Sequence, residues 1–147
     1  MNIIFLDIDG VLVRYPGVKN NYQKDKRDEF GPLFHPTCVE FLEEIVHKTN
    51  AKIVISSSWK RIGIERLKNI FRVRGIDVDI IDIIPLYGLP RGEEIQLWLD
   101  EHGADKYIIL DDRELDLKTL HGNRFIQTDS QLGITEEVKD LAIKTLS

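Results

Sequence analysis

The chain has 147 residues, of which 42% are hydrophobic and 31% charged, and this composition fits one soluble globular domain with its own hydrophobic core. The formal net charge of −5 argues against non-specific clamping of nucleic acid, which depends on a surplus of Lys and Arg, but it leaves room for a local basic groove. No apolar run approaches the ~20 residues that cross a bilayer, and the N-terminus lacks the basic region of a secretory signal. The single cysteine, Cys38, excludes an internal disulfide framework. We therefore expect a cytoplasmic protein without a membrane partner.

The first predicted element is a strand within the run IIFLDIDGVL, residues 3–12. A short, branched apolar run is typical of a strand buried on both faces of a parallel sheet, and ligands bind at the carboxyl edge of such sheets. Asp7 and Asp9 stand at that edge, and their spacing would point both side chains to one side of an extended strand. At about 4 Å two such charges repel by roughly 4 kcal/mol, which a divalent cation would offset, and Gly10 would let the backbone turn closely around it. The alternative is a strand that ends in an ordinary Asx-type turn.

A polar segment with Gly and Pro follows, and we predict a flap or loop over about residues 11–35, in which 11–13 could continue as an extended arm. It contains a mixture of basic and aromatic residues: Arg14, Tyr15, Lys19, Tyr22, Lys24, Lys26 and Arg27. One interpretation is a surface for a phosphate backbone, with bases stacked on the tyrosines. The simpler interpretation is a solvated loop whose charges are balanced by neighbouring acidic residues.

The next elements are a helix that we expect Thr37 to cap, with Cys38 buried in it, and a second apolar strand that leads into three serines, IVISSS. Ser56 should lie at the carboxyl end of this strand, where its hydroxyl can donate to a phosphate oxygen, and Ser57 could do the same. The alternative role for these hydroxyls is capping, because a helix is predicted to follow through Gly75. Lys60 lies close enough in the chain to contact a phosphate as well.

A third strand is predicted within residues 78–84, then a helix that begins near Gly92 with Ile95, Leu97, Trp98 and Leu99 buried. The fourth strand, KYIILDD, delivers Asp111 and Asp112 to the sheet edge, with Asp116 beyond. Several carboxylates at adjacent strand ends predict a cation, and oxygen ligands suit Mg²⁺. A fifth strand lies within residues 123–129, and Thr135 is predicted to cap a final helix.

Alternating strands and helices predict a single α/β domain over residues 1–147, with a mostly parallel five-stranded sheet between two helical layers, that is, a Rossmann-like three-layer sandwich. The order and spacing of DIDGVL, IVISSS and YIILDD resemble the haloacid dehalogenase-like (HAD) phosphohydrolase superfamily over nearly the whole chain. The runs SSSW, RGEEIQLWL and TDSQLGIT resemble more narrowly the small capless HAD domains of RNA-repair proteins, which are relatives of the phosphatase half of polynucleotide kinase-phosphatases. This resemblance implies the strand order 3-2-1-4-5 and no large cap, since about 25 residues in the flap are too few for one. The site should therefore be open, either to a large substrate or to closure by a partner subunit, and the oligomeric state stays open.

The resemblance also implies roles for individual residues. Asp7 would be the nucleophile and Asp9 the general acid and base. The basic group that offsets charge on the nucleophile and the phosphate would be Arg91, where the family more often has Lys, with Lys60 as the other candidate. The remaining roles are shared among these residues: phosphate binding by Ser56, Ser57, Gly10 and Arg91, and Mg²⁺ binding by Asp7, Asp9, Asp111, Asp112 and Asp116, with Asp112 favoured over Asp111.

The function that follows is a Mg²⁺-dependent phosphomonoester hydrolase that acts through an aspartyl-phosphate and removes a terminal phosphate, for example a 3′-phosphate, from nucleic acid. One alternative is a small-molecule phosphatase such as a nucleotidase, which would need a closed pocket. Another is a non-catalytic metal- or phosphate-binding module. The presence of both Asp7 and Asp9 argues against the last, because binding alone does not need a second acid two residues from the nucleophile.

Overall fold

Strands and helices alternate along the computed structural model, which describes residues 1–19 and 26–147. The predicted flap residues Tyr22 and Lys24 lie outside this range. The elements are β1 (Asn2–Leu6), β2 (Arg27–Asp28), β3 (Gly31–Pro32), α1 (Pro36–Thr49), β4 (Lys52–Ile55), α2 (Ile64–Val73), β5 (Ile80–Ile83), α3 (Arg91–His102), β6 (Lys106–Asp111), α4 (Leu117–His121), β7 (Phe125–Gln127) and α5 (Glu136–Leu146), with short 3-10 helices at Ser58–Ile62 and Gly122–Arg124.

The main sheet has five strands in the order β5-β4-β1-β6-β7, and all its neighbours pair in parallel. Counted along the chain, the strands of this sheet have the order 3-2-1-4-5 that the resemblance implied. The most apolar strand, β1, is central. The carboxyl ends of β4, β1 and β6 therefore meet at one edge, directly beside each other.

Helices cover both faces of the sheet. Because side chains alternate along each central strand, every such strand contributes to the core on both sides. In β1, Ile4 and Leu6 belong to the larger core cluster, which also contains buried residues of α1, α2 and α5. Ile3 and Phe5 belong to the second cluster, with residues of α3 and α4. The predicted three-layer α/β fold is therefore confirmed. Within the described ranges, no helix is both long and apolar enough to span a membrane.

Two predicted helix starts differ from the structure. The helix α1 begins at Pro36, and its N-cap is His35, whose ring Nδ1 accepts from the Thr37 N–H at 3.2 Å, so the prediction of Thr37 as the cap was wrong. Proline favours this earlier start because its fixed φ suits the first helical position. The helix predicted after the three serines is divided by Gly63, which has φ 91°, into a 3-10 helix and α2. The predictions of a buried Cys38 and of the Thr135 cap are confirmed.

The region predicted as a flap contains more structure than a loop. Residues 11–13 do not form an extended arm, since their backbone N–H groups all donate back to the Ile8 carbonyl in a tight turn. The strands β2 and β3 form a small antiparallel hairpin. The Arg74 guanidinium at the end of α2 holds this hairpin, because it donates to both Asp28 carboxylate oxygens and lies 4.4 Å from the ring centroid of Phe34.

Candidate active site

Three polar side chains occupy the same level at the carboxyl edge of the sheet. Leu6 at the end of β1 pairs with the residue just before Ser56 in β4 and with the residue just before Asp111 in β6. Asp7, Ser56 and Asp111 therefore stand side by side, and the Asp7 N–H donates to Leu110 O at 3.0 Å. Because side chains alternate along strands, all three point to the sheet face that carries α3.

An acidic cluster forms at this level. Carboxylate oxygens of Asp7, Asp111 and Asp112 all lie within 4.8 Å of one another, and Asp7 and Asp111 are buried. Gly10 has φ 81°, and a Cβ atom there would collide with the Asp112 carboxylate, so glycine is required for the turn to approach the cluster this closely. The cluster gathers three of the five residues that the sequence nominated for the metal.

Burial and mutual repulsion change the acidity of this cluster. Burial raises the pKa of Asp7 to about 8, the nearby Asp111 adds to the effect, and Arg91 opposes it. Burial and Asp111 also raise the pKa of Asp112. Carboxyls that resist ionisation together become ionised readily when a cation binds between them.

Among the residues that the structure describes, one guanidinium reaches the acidic cluster. Arg91 is the first residue of α3, and its Nη1 lies 2.6 Å from Asp111 Oδ2 and 3.7 Å from Asp7 Oδ1. Lys60, the other candidate for this role, instead pairs with Glu94 at 3.3 Å, and both of these side chains are 9% exposed. Three carboxylates therefore face one guanidinium, and the cluster has a surplus of negative charge that fits a divalent cation.

The second aspartate of the DIDG motif has a different environment. β1 ends at Leu6, so the chain turns before Asp9, and the half-buried Asp9 lies outside the acidic cluster. Its carboxylate accepts from the Trp59 indole N–H, at 3.3 Å to Oδ1 and 3.2 Å to Oδ2. Burial raises the pKa of Asp9, and the hydrogen bond from Trp59 lowers it in part. A carboxyl that is protonated more easily than usual suits a proton donor.

The two nominated serines behave differently. Ser56 is 2% exposed, and within the described part of the chain its Oγ has no hydrogen-bond partner. Ser57 is also buried, but its Oγ accepts from the Trp59 backbone N–H at 3.2 Å and caps the 3-10 helix. A buried hydroxyl without a partner is costly, by about 1–3 kcal/mol, so Ser56 is the serine that fits an incoming anion.

Asp116 is not brought into the acidic cluster. Its two carboxylate oxygens accept from the backbone N–H groups of Gly92, at 2.8 Å, and Glu93, at 3.2 Å, in the first turn of α3. The carboxylate therefore caps α3 from outside that helix and favours its N-terminus electrostatically. Since Arg91 begins this helix, the geometry supports a positioning role for Asp116 and does not support the prediction that it is a metal ligand.

The flap contributes Tyr15 to the site, and its side chain is 39% exposed. Its phenol lies close enough to the carboxylates for Asp9, Asp112 and Asp7 to add to the effect of burial in raising the pKa of Tyr15. The segment around it is fixed to the loop after β7: the Tyr15 N–H donates to Ser130 O, and Arg14 donates to Leu132 O. Lys19 forms an ion pair with Asp129 of the same loop. Two of the flap cations are thus engaged within the chain.

Sequence reasoning missed three contributors to this site. Neither Trp59 nor Glu94 was among the candidate site residues, and the cap of α3 by Asp116 was not foreseen. Each makes its contact with a residue 24 to 50 positions away in the chain. No local spacing signals such contacts, although Asp116 could have been suspected from the absence of a Ser, Thr, Asp or Asn just before the helix at Arg91.

The fold and the site together define an α/β domain with a cluster of aspartates at the carboxyl edge of its parallel sheet. The family model of the HAD domain in Swiss Army Knife RNA repair proteins matches residues 3–138, and the chain belongs to this family. Searches of curated proteins and of solved structures gave no match. Family and site together support a phosphatase of the HAD type.

Proposed function

We propose that this protein is a Mg²⁺-dependent phosphomonoester hydrolase that acts through an aspartyl-phosphate on Asp7 and removes a terminal phosphate, most simply a 3′-phosphate, from RNA. The observation that carries the proposal is the surplus of charge at the sheet edge: three carboxylates face one guanidinium beside a buried serine hydroxyl that has no partner in the described chain. A purely structural edge would gain nothing from this arrangement, because each of these groups is costly to bury alone.

The donor set suits Mg²⁺, which prefers oxygen ligands and neutralises carboxylates in phosphoryl-transfer sites. Asp7 and Asp112 would hold it, together with the Asp9 carbonyl. Asp111 would not bind the ion directly but would orient Arg91, whose guanidinium donates to it. When bound, Mg²⁺ would offset the charge of the nucleophile and of the phosphoryl group and so lower the barrier to their approach. Asp7, whose pKa is about 8 without a cation, would then be ionised at neutral pH.

The reaction then has two halves. In the first, an Asp7 carboxylate oxygen attacks phosphorus, the bond from phosphorus to the ester oxygen breaks, and the Asp9 carboxyl gives its proton to the leaving oxygen. In the second, Asp9 takes a proton from water, the water oxygen attacks phosphorus, and the bond to Asp7 breaks to release inorganic phosphate. Asp9 is suited to both halves because burial favours its protonated form while the Trp59 N–H favours its ionised form.

The equatorial oxygens of the phosphoryl group would be held by Ser56 and Arg91. The Ser56 hydroxyl is beside Asp7 at the end of the neighbouring strand and is available as a donor. Arg91 already lies 3.7 Å from the Asp7 carboxylate, so its other guanidinium nitrogens can meet an oxygen bound there. Removal of donors of this kind typically costs about 10²–10³ in rate.

The family supports RNA as the substrate class, since its model describes a domain of RNA-repair proteins. The exposed Tyr15 at the rim of the site could stack on the base next to the terminal phosphate, which is worth ~1–3 kcal/mol per base. The net charge of −5 argues against a large contribution of long-range attraction to binding, so local contacts at the RNA end would dominate.

The test is phosphate release with Mg²⁺ from RNA oligonucleotides with a 3′- or a 5′-phosphate, from nucleoside monophosphates and from an aryl phosphate. We expect hydrolysis of the 3′-phosphate to exceed that of the other substrates and to cease with EDTA. The Asp7→Asn variant should lose at least about 10³-fold in turnover, since it removes the nucleophile.

A matched control is Asp77→Asn, which removes one exposed carboxylate that pairs with His47 far along the chain from the cluster. It should leave turnover unchanged. Preference for nucleoside monophosphates would indicate the nucleotidase instead, and activity no higher than that of Asp7→Asn on every substrate would indicate a binding module.

A further inference from the structure

The Trp59 indole contacts the proposed general acid directly. Its Nε1–H donates toward both oxygens of Asp9, at 3.3 and 3.2 Å. An indole nitrogen can only donate, so Trp59 cannot accept the Asp9 proton or take its place in proton transfer. The contact can affect the reaction only through the position and the charge of the Asp9 carboxyl.

Trp59 is itself held from two sides. Its backbone N–H donates to Ser57 Oγ at 3.2 Å, and its ring lies 5.6 Å from the ring of Phe34, measured between centroids. The Phe34 ring in turn packs under the Arg74 guanidinium, which is bound to Asp28 of the β2–β3 hairpin. The indole is therefore held by the 3-10 helix on one side and by Phe34 on the other, which places it to orient another side chain.

The backbone around Asp9 does not fix the orientation of its side chain, so a contact from another residue is needed to do so. Asp9 lies after the end of β1, in the turn in which residues 11–13 fold back onto the Ile8 carbonyl. An aspartate side chain in a turn can rotate about two torsions, whereas a proton donor must be within about 0.5 Å of its productive position.

We propose that Trp59 is a positioning residue, which fixes the Asp9 carboxyl in the orientation that meets the leaving oxygen of the substrate. This inference rests on the proposed function and acts through Asp9 alone. The phosphoryl group is held by other residues, so loss of the indole N–H should weaken proton delivery to the leaving group while leaving nucleophilic attack by Asp7 intact.

The test compares two substrates with the Trp59→Phe variant, which keeps an aromatic ring against Phe34 but lacks the N–H. We expect kcat/KM for an alkyl phosphate, such as a 3′-phosphorylated oligonucleotide, to fall about 10- to 30-fold, a part of the ~10²–10⁴ that a general acid contributes. For 2,4-dinitrophenyl phosphate, whose leaving group needs no proton, kcat/KM should change less than about twofold. Equal losses on the two substrates would overturn the inference, because they would indicate a general structural role.

Trp98→Phe is the matched control. Trp98 also donates its indole N–H to an aspartate, Asp82, at 2.7 Å, but it lies in α3 in the second core cluster and stacks on His102. Its variant should lower the two kcat/KM values, if at all, by the same factor. A leaving-group dependence in Trp98→Phe equal to that of Trp59→Phe would also overturn the inference.

A measurement without substrate separates this inference from the proposed function. The chain has two tryptophans, and the indole ¹H–¹⁵N NMR signal missing in Trp59→Phe identifies that of Trp59. We expect Asp9→Ala to shift this signal and to leave the Trp98 signal in place. If the wild-type protein hydrolyses no phosphate ester, the proposed function fails, but the shift would still support the contact; an unchanged Trp59 signal would overturn it in either case.

Discussion

Two largely buried cations lie near the same edge of the sheet, and they have opposite charge balances. Within the described ranges, Lys60 forms an ion pair with Glu94 alone, and the second oxygen of Glu94 accepts from the Tyr87 N–H at 2.9 Å. Arg91 meets Asp111 and Asp7, and Asp112 is within the same cluster. One pair is neutral and its charges are matched, whereas the other group has more negative charge than its cation can offset.

The difference separates a structural ion pair from a site. By sequence, both cations are candidates for the basic group of the site. In the structure both are linked to α3, since Lys60 pairs with Glu94 of this helix and Arg91 is its first residue. A buried pair that is balanced ties the 3-10 helix to α3 and requires nothing more. A group that is left acidic requires a ligand, and this is why the proposed cation and phosphate fit at Arg91 and not at Lys60.

Of the changes that test this comparison of the two cations, Arg91→Met has the largest expected effect. Among the described residues it removes the one cation that contacts the acidic cluster, so we expect kcat/KM with the preferred phosphate ester to fall about 10³-fold. Arg91→Lys should recover part of the loss, since it keeps the charge but not the planar fork. A loss below threefold for Arg91→Met would contradict the assignment of this arginine.

Next is Lys60→Met, which should break the balanced pair without harming the chemistry. We expect unfolding free energy, measured by urea denaturation, to fall by about 3 kcal/mol because the buried Glu94 carboxylate loses the cation that balances its charge. Turnover of the folded protein should stay within about threefold of wild type. The double variant Lys60→Met/Glu94→Gln should recover most of the stability, since no unpaired charge remains and Gln can still accept from Tyr87. A loss of turnover as large as that of Arg91→Met would instead identify Lys60 as a phosphate-binding cation.

The pH dependence of stability should distinguish the unbalanced cluster from the rest of the molecule. The folded pKa of Asp7 is about 8 and its ordinary value is 3.8, so the folded state holds a proton that the unfolded state has lost. This contribution to stability is present at low pH and is lost as pH rises toward 8, by about 2 kcal/mol from about pH 6 to pH 8 in EDTA. Thermal unfolding would measure it, and Asp7→Asn should flatten this part of the profile.

Addition of Mg²⁺ should reverse this loss, and more strongly at pH 8 than at pH 6, because binding at lower pH must first displace protons. Isothermal titration at the two pH values would measure the same linkage as a change in affinity. An affinity that does not change with pH would show that the acidic cluster is not the binding site.

The smallest expected effect is that of Asp116→Ala. It removes the cap of α3, so we expect a loss of about 1 kcal/mol in unfolding free energy and no change in Mg²⁺ affinity. Leu115→Ala, an exposed neighbour, serves as the control for local disruption. A tenfold or larger loss of Mg²⁺ affinity in Asp116→Ala would restore the original prediction that this carboxylate is a ligand.

Much of the fold was predictable because it depends on local patterns. The branched apolar runs of β1, β4 and β6 have the length and composition of buried parallel strands, and the parallel arrangement then requires their carboxyl ends to meet. That requirement alone brings Asp7, Ser56 and Asp111 together. The starts of α1 and α2 were predicted less well, since Pro36 and Gly63 act on the backbone against the apolar periodicity.

The sequence by itself determined the three-layer α/β fold and which polar residues reach the edge of the sheet, because periodicity and strand ends are local properties. Only the tertiary structure decided which cation meets which carboxylate, which aspartate caps a helix and that Trp59 holds Asp9. These contacts depend on how the N-terminus of α3 and the 3-10 helix lie over the sheet. That placement is set by packing between residues distant in the chain, and it leaves no periodic signal in the sequence.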